Sequence, residues 1–244
     1  MYVANQHRLS ENDALAYARK IGNGELISLF DGELQATHIP FIIVQDTAAT
    51  SEAPATYHIE THLSQVNPQW RGTNEGPALL VVNIADQHVP GHLLPREQKF
   101  ARLPQAPTWN YLTVHIRGHF TAIHDTDWKL AHLDRFVKHF EPEWRPATHS
   151  NYERLNHALP ALIGIKMQVE QVIGKAKLHQ QLASTEISLL AEKLHHIEKS
   201  NSIPQLMQDI AAPWAREREA RVALARDKKT LPIIPAKNDS KNHK

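Results

Sequence analysis

The chain predicts an antiparallel α+β fold, mainly β, arranged as a barrel with flanking helices. Three observations lead there. About six segments alternate apolar with polar residues or run β-branched, as half-buried strands do. The turn chemistry between them is that of hairpins, with Asp31-Gly32 the strongest case. No glycine-rich loop leads from a strand into a helix, so a dinucleotide-binding βαβ unit and a phosphate-binding loop both lack support. Strands joined by hairpins favour an antiparallel barrel over a doubly wound parallel sheet.

The elements follow in order. Ser10 caps a first helix whose opening turn holds Glu11 and Asp13, where the helix dipole favours acids. Ala14, Ala18 and Ile21 form its apolar stripe, and Gly22-Asn23-Gly24 ends it. Leu26 to Phe30 and Leu34 to Val44 are the two strands of the Asp31-Gly32 hairpin. A polar loop over 46–54 precedes strands at Thr56–Leu63 and Ala78–Ala85. Residues 87–104 have no clear period and read as a long loop. Tyr111 to Ile123 is a long strand with a bulge expected at Gly118. Asp125 or Thr126 caps a helix to Phe140, with Trp128, Leu130, Leu133, Phe136, Val137 and Phe140 as its expected buried face. Residues 141–159 read as irregular, and Leu162 to Ile173 is a strand that Gly174 should end. Ser184-Thr185-Glu186 opens a helix to about Lys199, and a further helix from Ile203 must kink or break at Pro213. The organisation expected is a barrel domain over residues 1–200, a helical extension over 201–226 and a disordered tail over 227–244.

Composition narrows the function classes. The net charge of +1 supplies no global attraction to nucleic acid or anionic membrane. With no cysteine there is no disulfide, no thiolate metal site and no thiol nucleophile. The polar N-terminus lacks the apolar core of a signal peptide, and no run approaches the ~18 apolar residues of a membrane span. Together these predict a cytoplasmic protein.

Four blocks, in order, resemble the PaiB-type FMN-binding negative transcriptional regulators. They are Asp31 to Pro40 (DGELQATHIP), His62 to Trp70 (HLSQVNPQW), Pro107 to Gly118 (PTWNYLTVHIRG) and Leu162 to Gln180 (LIGIKMQVEQVIGKAKLHQ). The pairing of ATHIP with PTWNY is the specific part. The resemblance spans about residues 1 to 200. It implies an FMN-binding split β-barrel related to the pyridoxine-phosphate-oxidase-like flavoproteins. It also implies a bacterial, cytoplasmic homodimer with FMN at the subunit interface, described as a transcriptional regulator.

The chain departs from that family where a flavin phosphate would be met. Gln65 stands in place of the family arginine of the HxARANP block. Lys177-Leu178-His179-Gln180-Gln181-Leu182 replaces the family's KLSQNR, so its serine, asparagine and arginine are absent. A dianionic phosphate is held by cations, hydroxyls or backbone N–H groups. Lys175, Lys177, Arg117 or a protonated His179 are the available substitutes.

Seven residues are the candidates for cofactor contact: Thr37, His38, His62, Asn67, Asn110, Lys177 and Gln180. Each also has an ordinary reading. Thr37 and His38 suit a half-buried strand, and Asn67-Pro68 suits a turn. Asn110 is a buried amide in need of partners, which a flavin or the protein can supply. Lys177 reads as a phosphate contact or as a solvated charge. Trp109 and Tyr111 read as core aromatics, with ring stacking on a flavin as the other possibility.

The 17 histidines suggest no metal site, because no HExxH or facial-triad spacing is present, and scattered surface positions account for them. His58 and His62 share strand parity, as do His115 and His119. No catalytic triad or carboxylate pair follows from spacing, so any redox activity would depend on bound FMN. The other readings are a flavin-free split-barrel binding or regulatory module and, more distantly, a haem-handling protein. The basic stretch Arg216-Glu217-Arg218-Glu219 alternates its charges, which argues for a salt-bridged face over direct DNA contact.

Overall fold

A computed structural model describes residues 1–48, 55–72, 76–95, 106–144 and 157–230, with backbone only at 47 and 227–230. The chain divides into two compact units. One comprises Met1–His88 and Trp109–Leu178, the other Val89–Thr108 and His179–Lys244.

Seven strands form a single sheet: β1 (Asn23–Phe30), β2 (Glu33–Pro40), β3 (Ile42–Thr47), β4 (Thr56–Ser64), β5 (Ala78–Val89), β6 (Thr108–Ile123) and β7 (Leu162–Lys177). Their spatial order is β2-β1-β5-β6-β7-β4-β3. The edge strands β2 and β3 are consecutive in the chain, with Phe41 alone between them. In a flat sheet those edges would lie about 29 Å apart, six spacings of ~4.8 Å. The two Cα steps from Pro40 to Ile42 span at most ~7 Å. The sheet must therefore curl enough to bring the end of β2 to the start of β3. Thr61 Oγ1 on β4 donates to Pro40 O at the end of β2 (2.6 Å), across that seam. Phe41 is fully buried there, and its N–H donates to Gly22 O (2.7 Å). What the periodicity presents as one strand, Leu34 to Val44, is two strands on opposite edges of a curled sheet.

The core lies inside this curl, on alternate positions of the strands. Leu26, Ile59, Leu80, Leu112, Ile116 and Ile165 are all essentially inaccessible. The local signals hold at several places. Ser10 Oγ accepts from Asp13 N (3.1 Å) at the start of α1 (Glu11–Ile21), and Gly22 ends it with φ 66°. Asp31 and Gly32 both take positive φ, 54° and 74°, as a type I′ hairpin requires. The β6–β7 register shifts between Arg117 and Gly118, at the expected bulge. Asp125 caps α2 (Thr126–Phe140), its carboxylate accepting from Trp128 N.

Three expectations need correction. Gly174 does not end β7, which runs on to Lys177. A Cβ at Gly174 would lie 2.8 Å from Ala14 Cβ and 2.9 Å from Leu9 Cβ, so the glycine admits the N-terminal segment onto the strand. The buried positions of α2 are Lys129 and His132, while Leu130 and Phe140 are exposed. Polar partners on β4 and in the chain before β7 decide that docking, as shown below. Finally, β5 continues to Val89 and a helical turn covers Gly91–Leu93, so the start of the expected 87–104 loop is ordered structure. The rest of that loop over 96–104, the loop residues 49–54 and most of the irregular stretch 141–159 lie outside the described residues.

The second unit holds α3 (Ser184–Ile197), a helical turn Ile203–Leu206, a π turn Met207–Ala211 and α4 (Ala212–Thr230). The π turn falls immediately before Pro213, where a helix must rearrange around the missing N–H. Arg218 donates to Gln180 O (2.6 Å) and Leu182 O (2.7 Å), and Glu219 accepts from Ser184 N (2.7 Å). These two residues of the basic stretch hold α4 to the 180–184 segment of the same unit. Residues 231–244 lie outside the described residues. Among the described residues no helix is long and apolar enough to cross a membrane.

Candidate functional site

The outward row of β6 is Trp109, Tyr111, Thr113, His115 and Arg117, alternating with buried Asn110, Leu112, Val114 and Ile116. On β7, Lys177 stands opposite Tyr111 and Lys175 opposite Thr113. The Lys175 and Lys177 ammonium groups lie 5.4 and 5.8 Å from the centroid of the Tyr111 ring. Lys177 also donates to Trp109 O (3.1 Å). The N-terminal segment is laid along β7 by an Arg8–Lys175 bridge and by Leu9 N donating to Gly174 O (3.2 Å). That placement brings His7 to the same lysines.

This face is cationic. Burial pushes the His7 imidazole below its ordinary value, and Lys175 and Lys177 push it further the same way. His115 is lowered by burial, then by the N-terminal amine, Arg117 and Lys175. The charges that lower the two histidines, Lys175, Lys177, Arg117 and the N-terminal amine, are positive. Trp109 is 53% exposed at the end of the row, 5.7 Å from the His88 ring, so it is not the core aromatic that its sequence context suggested. Strand parity puts it on the outer face with Tyr111, while Asn110 between them takes the buried position.

Thr37 and Asn67 belong to a different constellation. Gln69, wholly buried, donates to Leu26 O (3.0 Å), Ser28 Oγ (3.0 Å) and Gln35 O (3.3 Å). Its side-chain oxygen accepts from Thr37 Oγ1 (2.6 Å), which in turn accepts from Asn67 Nδ2 (3.0 Å). Asn67 Oδ1 closes the loop by accepting from Gln69 N (3.0 Å). The NPQW segment is thus a hydrogen-bonded staple across β1 and β2. Gln69 is its centre, and no local signal singles out one glutamine in a turn. His38 is exposed on β2 and pairs with Glu25 (2.7 Å).

His62 enters a third group, under α2. His58, Glu60 and His62 occupy alternate positions of β4, on the face opposite the core residues Ile59 and Leu63. His58 contacts Asp46 through Nδ1 (2.6 Å) and Glu60 through Nε2 (3.1 Å). Glu60 also faces His132 Nδ1 (3.3 Å) and accepts two Arg135 Nη2 contacts at 2.9 Å. His132 Nε2 meets His62 Nδ1 at 3.1 Å. Burial alone would raise the Glu60 carboxyl, but hydrogen bonds from His132, His58 and Arg135 hold it down at about 2. Burial pushes His62 down to about 4, and neighbouring His132 acts the same way. His58 and His132 are thus buried, against the expectation of scattered surface histidines. The shared parity of His58 and His62 was the visible signal; the partners from α2 were not.

Within the first unit, six of the seven candidates fall in separate settings. Lys177 lies at the cationic face and Asn110 is buried beside it in β6. Thr37 and Asn67 form part of the staple, His38 is exposed on β2, and His62 lies under α2. Gln180 is buried in the second unit, where its carbonyl accepts from Arg218. Among the described residues, no group of three or more His, Asp or Glu could hold a metal ion.

The chain is 24% identical over 221 residues to the protease synthase and sporulation protein PAI 2 of Bacillus subtilis (strain 168), covering 86% of this chain and 97% of that one. Similar solved structures include the flavocytochrome Anf3 from Azotobacter vinelandii (TM-score 0.49, 14% identity, 72% of each chain). Another is the FAD and heme binding protein from Mycobacterium smegmatis (TM-score 0.46, 20% identity, 69% of this chain and 71% of that one). A family model described as "Putative FMN-binding domain" matches residues 1–171, and the chain belongs to that family.

Proposed function

We propose that this protein binds FMN, with the flavin phosphate held at the cationic face of β6 and β7, and that it acts as a PaiB-like regulator. The observation that carries the reading is the row of like charges along β6 and β7: Lys175 and Lys177 lie beside Tyr111 and act on His7, and Arg117 and the N-terminal amine act with Lys175 on His115. Like charges gathered on one partly buried face repel, and a dianionic phosphate relieves that repulsion. These cations fit the group and stand in for the arginines absent at Gln65 and Leu182. Gln65 is exposed at the end of β4, where its carbonyl accepts from Trp70 Nε1 (3.1 Å), and Leu182 is fully buried within the second unit.

In this reading Lys175 and Lys177 bind and orient the phosphate. Tyr111 and the exposed Trp109 offer aromatic surface to the ring system. Bound flavin would supply hydride or electron transfer. The regulatory part of the reading rests on the likeness to the sporulation protein PAI 2. Exposure of Trp109 and Tyr2 supports a homodimer that covers them; flavin at its interface and a cytoplasmic location are carried by the family likeness alone.

The second reading is a flavin-free scaffold, favoured by the apolar Leu182 where the family has arginine. An absorption spectrum of the purified protein followed by FMN titration separates the two. Flavin bands, or micromolar quenching of FMN fluorescence, support the first. A colourless protein that leaves FMN fluorescence unchanged overturns it.

A further inference from the structure

The N-terminal segment brings one more cation, Arg8, to the face of β6 and β7. Arg8 is bridged to Lys175 in antiparallel register, and Leu9 N donates to Gly174 O (3.2 Å). This pairing uses the edge of β7 opposite β6, beyond the stretch of β7 that β4 covers. Residues directly opposite in an antiparallel pair carry their side chains on the same face, with Cβ atoms ~5 Å apart. Lys175 lies between the buried Gly174 and Ala176, on the outward face with Lys177. Arg8 therefore stands on that face too, and it is exposed. Leu9 takes the opposite parity, since a Cβ on the buried Gly174 would lie 2.9 Å from Leu9 Cβ.

The position of Arg8 is fixed from both sides. Upstream, His7 N donates to Ala4 O (2.9 Å), Arg8 N donates to Asn5 O (3.3 Å), and Val3 is buried. Downstream, Ser10 caps α1, whose Ala14, Leu15 and Ala18 are buried. A segment held in this way presents its side chain to a ligand at little entropic cost. Like charges directly opposite in an antiparallel pair repel. Among the described residues, no carboxylate pairs with Arg8 or with Lys175 to offset that repulsion. Lys177 is two residues further along β7, a strand repeat of ~6.8 Å. Arg8, Lys175 and Lys177 thus form a triangle small enough for one phosphate group to meet all three. A guanidinium offers two parallel N–H groups to two phosphate oxygens, which an ammonium does not.

We propose that Arg8 is a phosphate-binding residue, whose guanidinium takes two oxygens of the phosphate that Lys175 and Lys177 hold. The anion turns the repulsion between Arg8 and Lys175 into a shared contact. The inference rests on the flavin reading for the source of the phosphate; free inorganic phosphate carries the same chemistry. Arg8 then supplies the guanidinium absent at Gln65 and Leu182, from a part of the chain outside the four motif blocks. The three cations share one ligand and act as a unit. An exposed contact to one arginine alone contributes little, so Arg8 counts only with the lysines in place.

Fluorescence titration of the full chain with FMN and with riboflavin tests the assignment. Arg8→Ala should lower the preference for FMN over riboflavin by about tenfold. Arg8→Lys should recover only part of it, because an ammonium lacks the two-pronged geometry. Added to Lys175→Ala/Lys177→Ala, Arg8→Ala should change nothing further. An undiminished preference in Arg8→Ala overturns the role of Arg8 and leaves the flavin reading standing. Equal affinity of the unmodified protein for FMN and riboflavin overturns the flavin reading instead. Amide hydrogen exchange of the unmodified protein, with and without saturating inorganic phosphate, then decides the role of Arg8 without any variant. Slower exchange over residues 5–10 supports it, with free phosphate as the ligand, and unchanged exchange overturns it.

Discussion

The outward row of β6 and β7 carries Tyr111, His115, Arg117, Lys175 and Lys177, whereas the outward row of β4 carries His58, Glu60 and His62. Both place histidines on alternate strand positions of one curled sheet. On the first row the charges that lower His7 and His115 are all positive. On the second, Glu60 collects His58, His132 and Arg135, and a helix covers the result. Repelling charges left partly open are a place for an anion to bind. Compensated charges under a lid are architecture, and removing one partner there leaves the others buried without one.

The comparison is broken most directly at Glu60. Glu60→Gln removes the anion that three cationic or donor groups share, and should cost about 3 kcal/mol or more of unfolding free energy. Urea unfolding at pH 7 measures it. The Glu60 carboxyl is depressed to about 2 from an ordinary 4.5. Its contribution is therefore present above about 4.5 and lost as pH falls toward 2, and the variant should lack that acid limb. A loss within the range of surface substitutions would remove the architectural reading of this face.

Gln69→Leu comes next. It strips the donor from Leu26 O and Ser28 Oγ and the acceptor from Thr37, at about 2 kcal/mol. Its FMN affinity should be unchanged in protein that remains folded. Lys175→Ala with Lys177→Ala sharpens the other side of the comparison. We expect FMN binding to weaken by about 30-fold, equivalent to ~2 kcal/mol. Urea stability should stay level or rise, since the substitutions relieve repulsion. His38→Ala is the smallest case. Its exposed pair with Glu25 should contribute less than ~1 kcal/mol, and it lies three strands from β6, so neither stability nor binding should move appreciably.

What was legible in the sequence was local. Ser10, Asp31-Gly32, Gly118 and Asp125 act on their own neighbourhoods, so their residue types announce the cap, turn or bulge. The features that escaped depend on distant partners. Lys129 and His132 look like the wet side of α2 until Leu159 O and Glu60 are known to lie beneath them. Gly174 looks like a strand terminator until Leu9 and Ala14 are seen against it. The one-residue passage from β2 to β3 is hidden in a continuous apolar run, because a strand that changes edge keeps the same composition. Of the candidate residues, Lys177 was singled out by motif likeness, while Lys175 and His7 are joined to it only by register and by the path of the N-terminal segment.

The central claim is that the cations of β6 and β7 hold a flavin by its phosphate. The direct measurement compares FMN with riboflavin, which lacks the phosphate, by fluorescence titration of the unmodified protein and of the Lys175→Ala/Lys177→Ala variant. The account predicts that the unmodified protein binds FMN at least tenfold more tightly than riboflavin, and that the variant binds both alike. Equal affinity of the unmodified protein for the two, or a preference for FMN that survives in the variant, would contradict it.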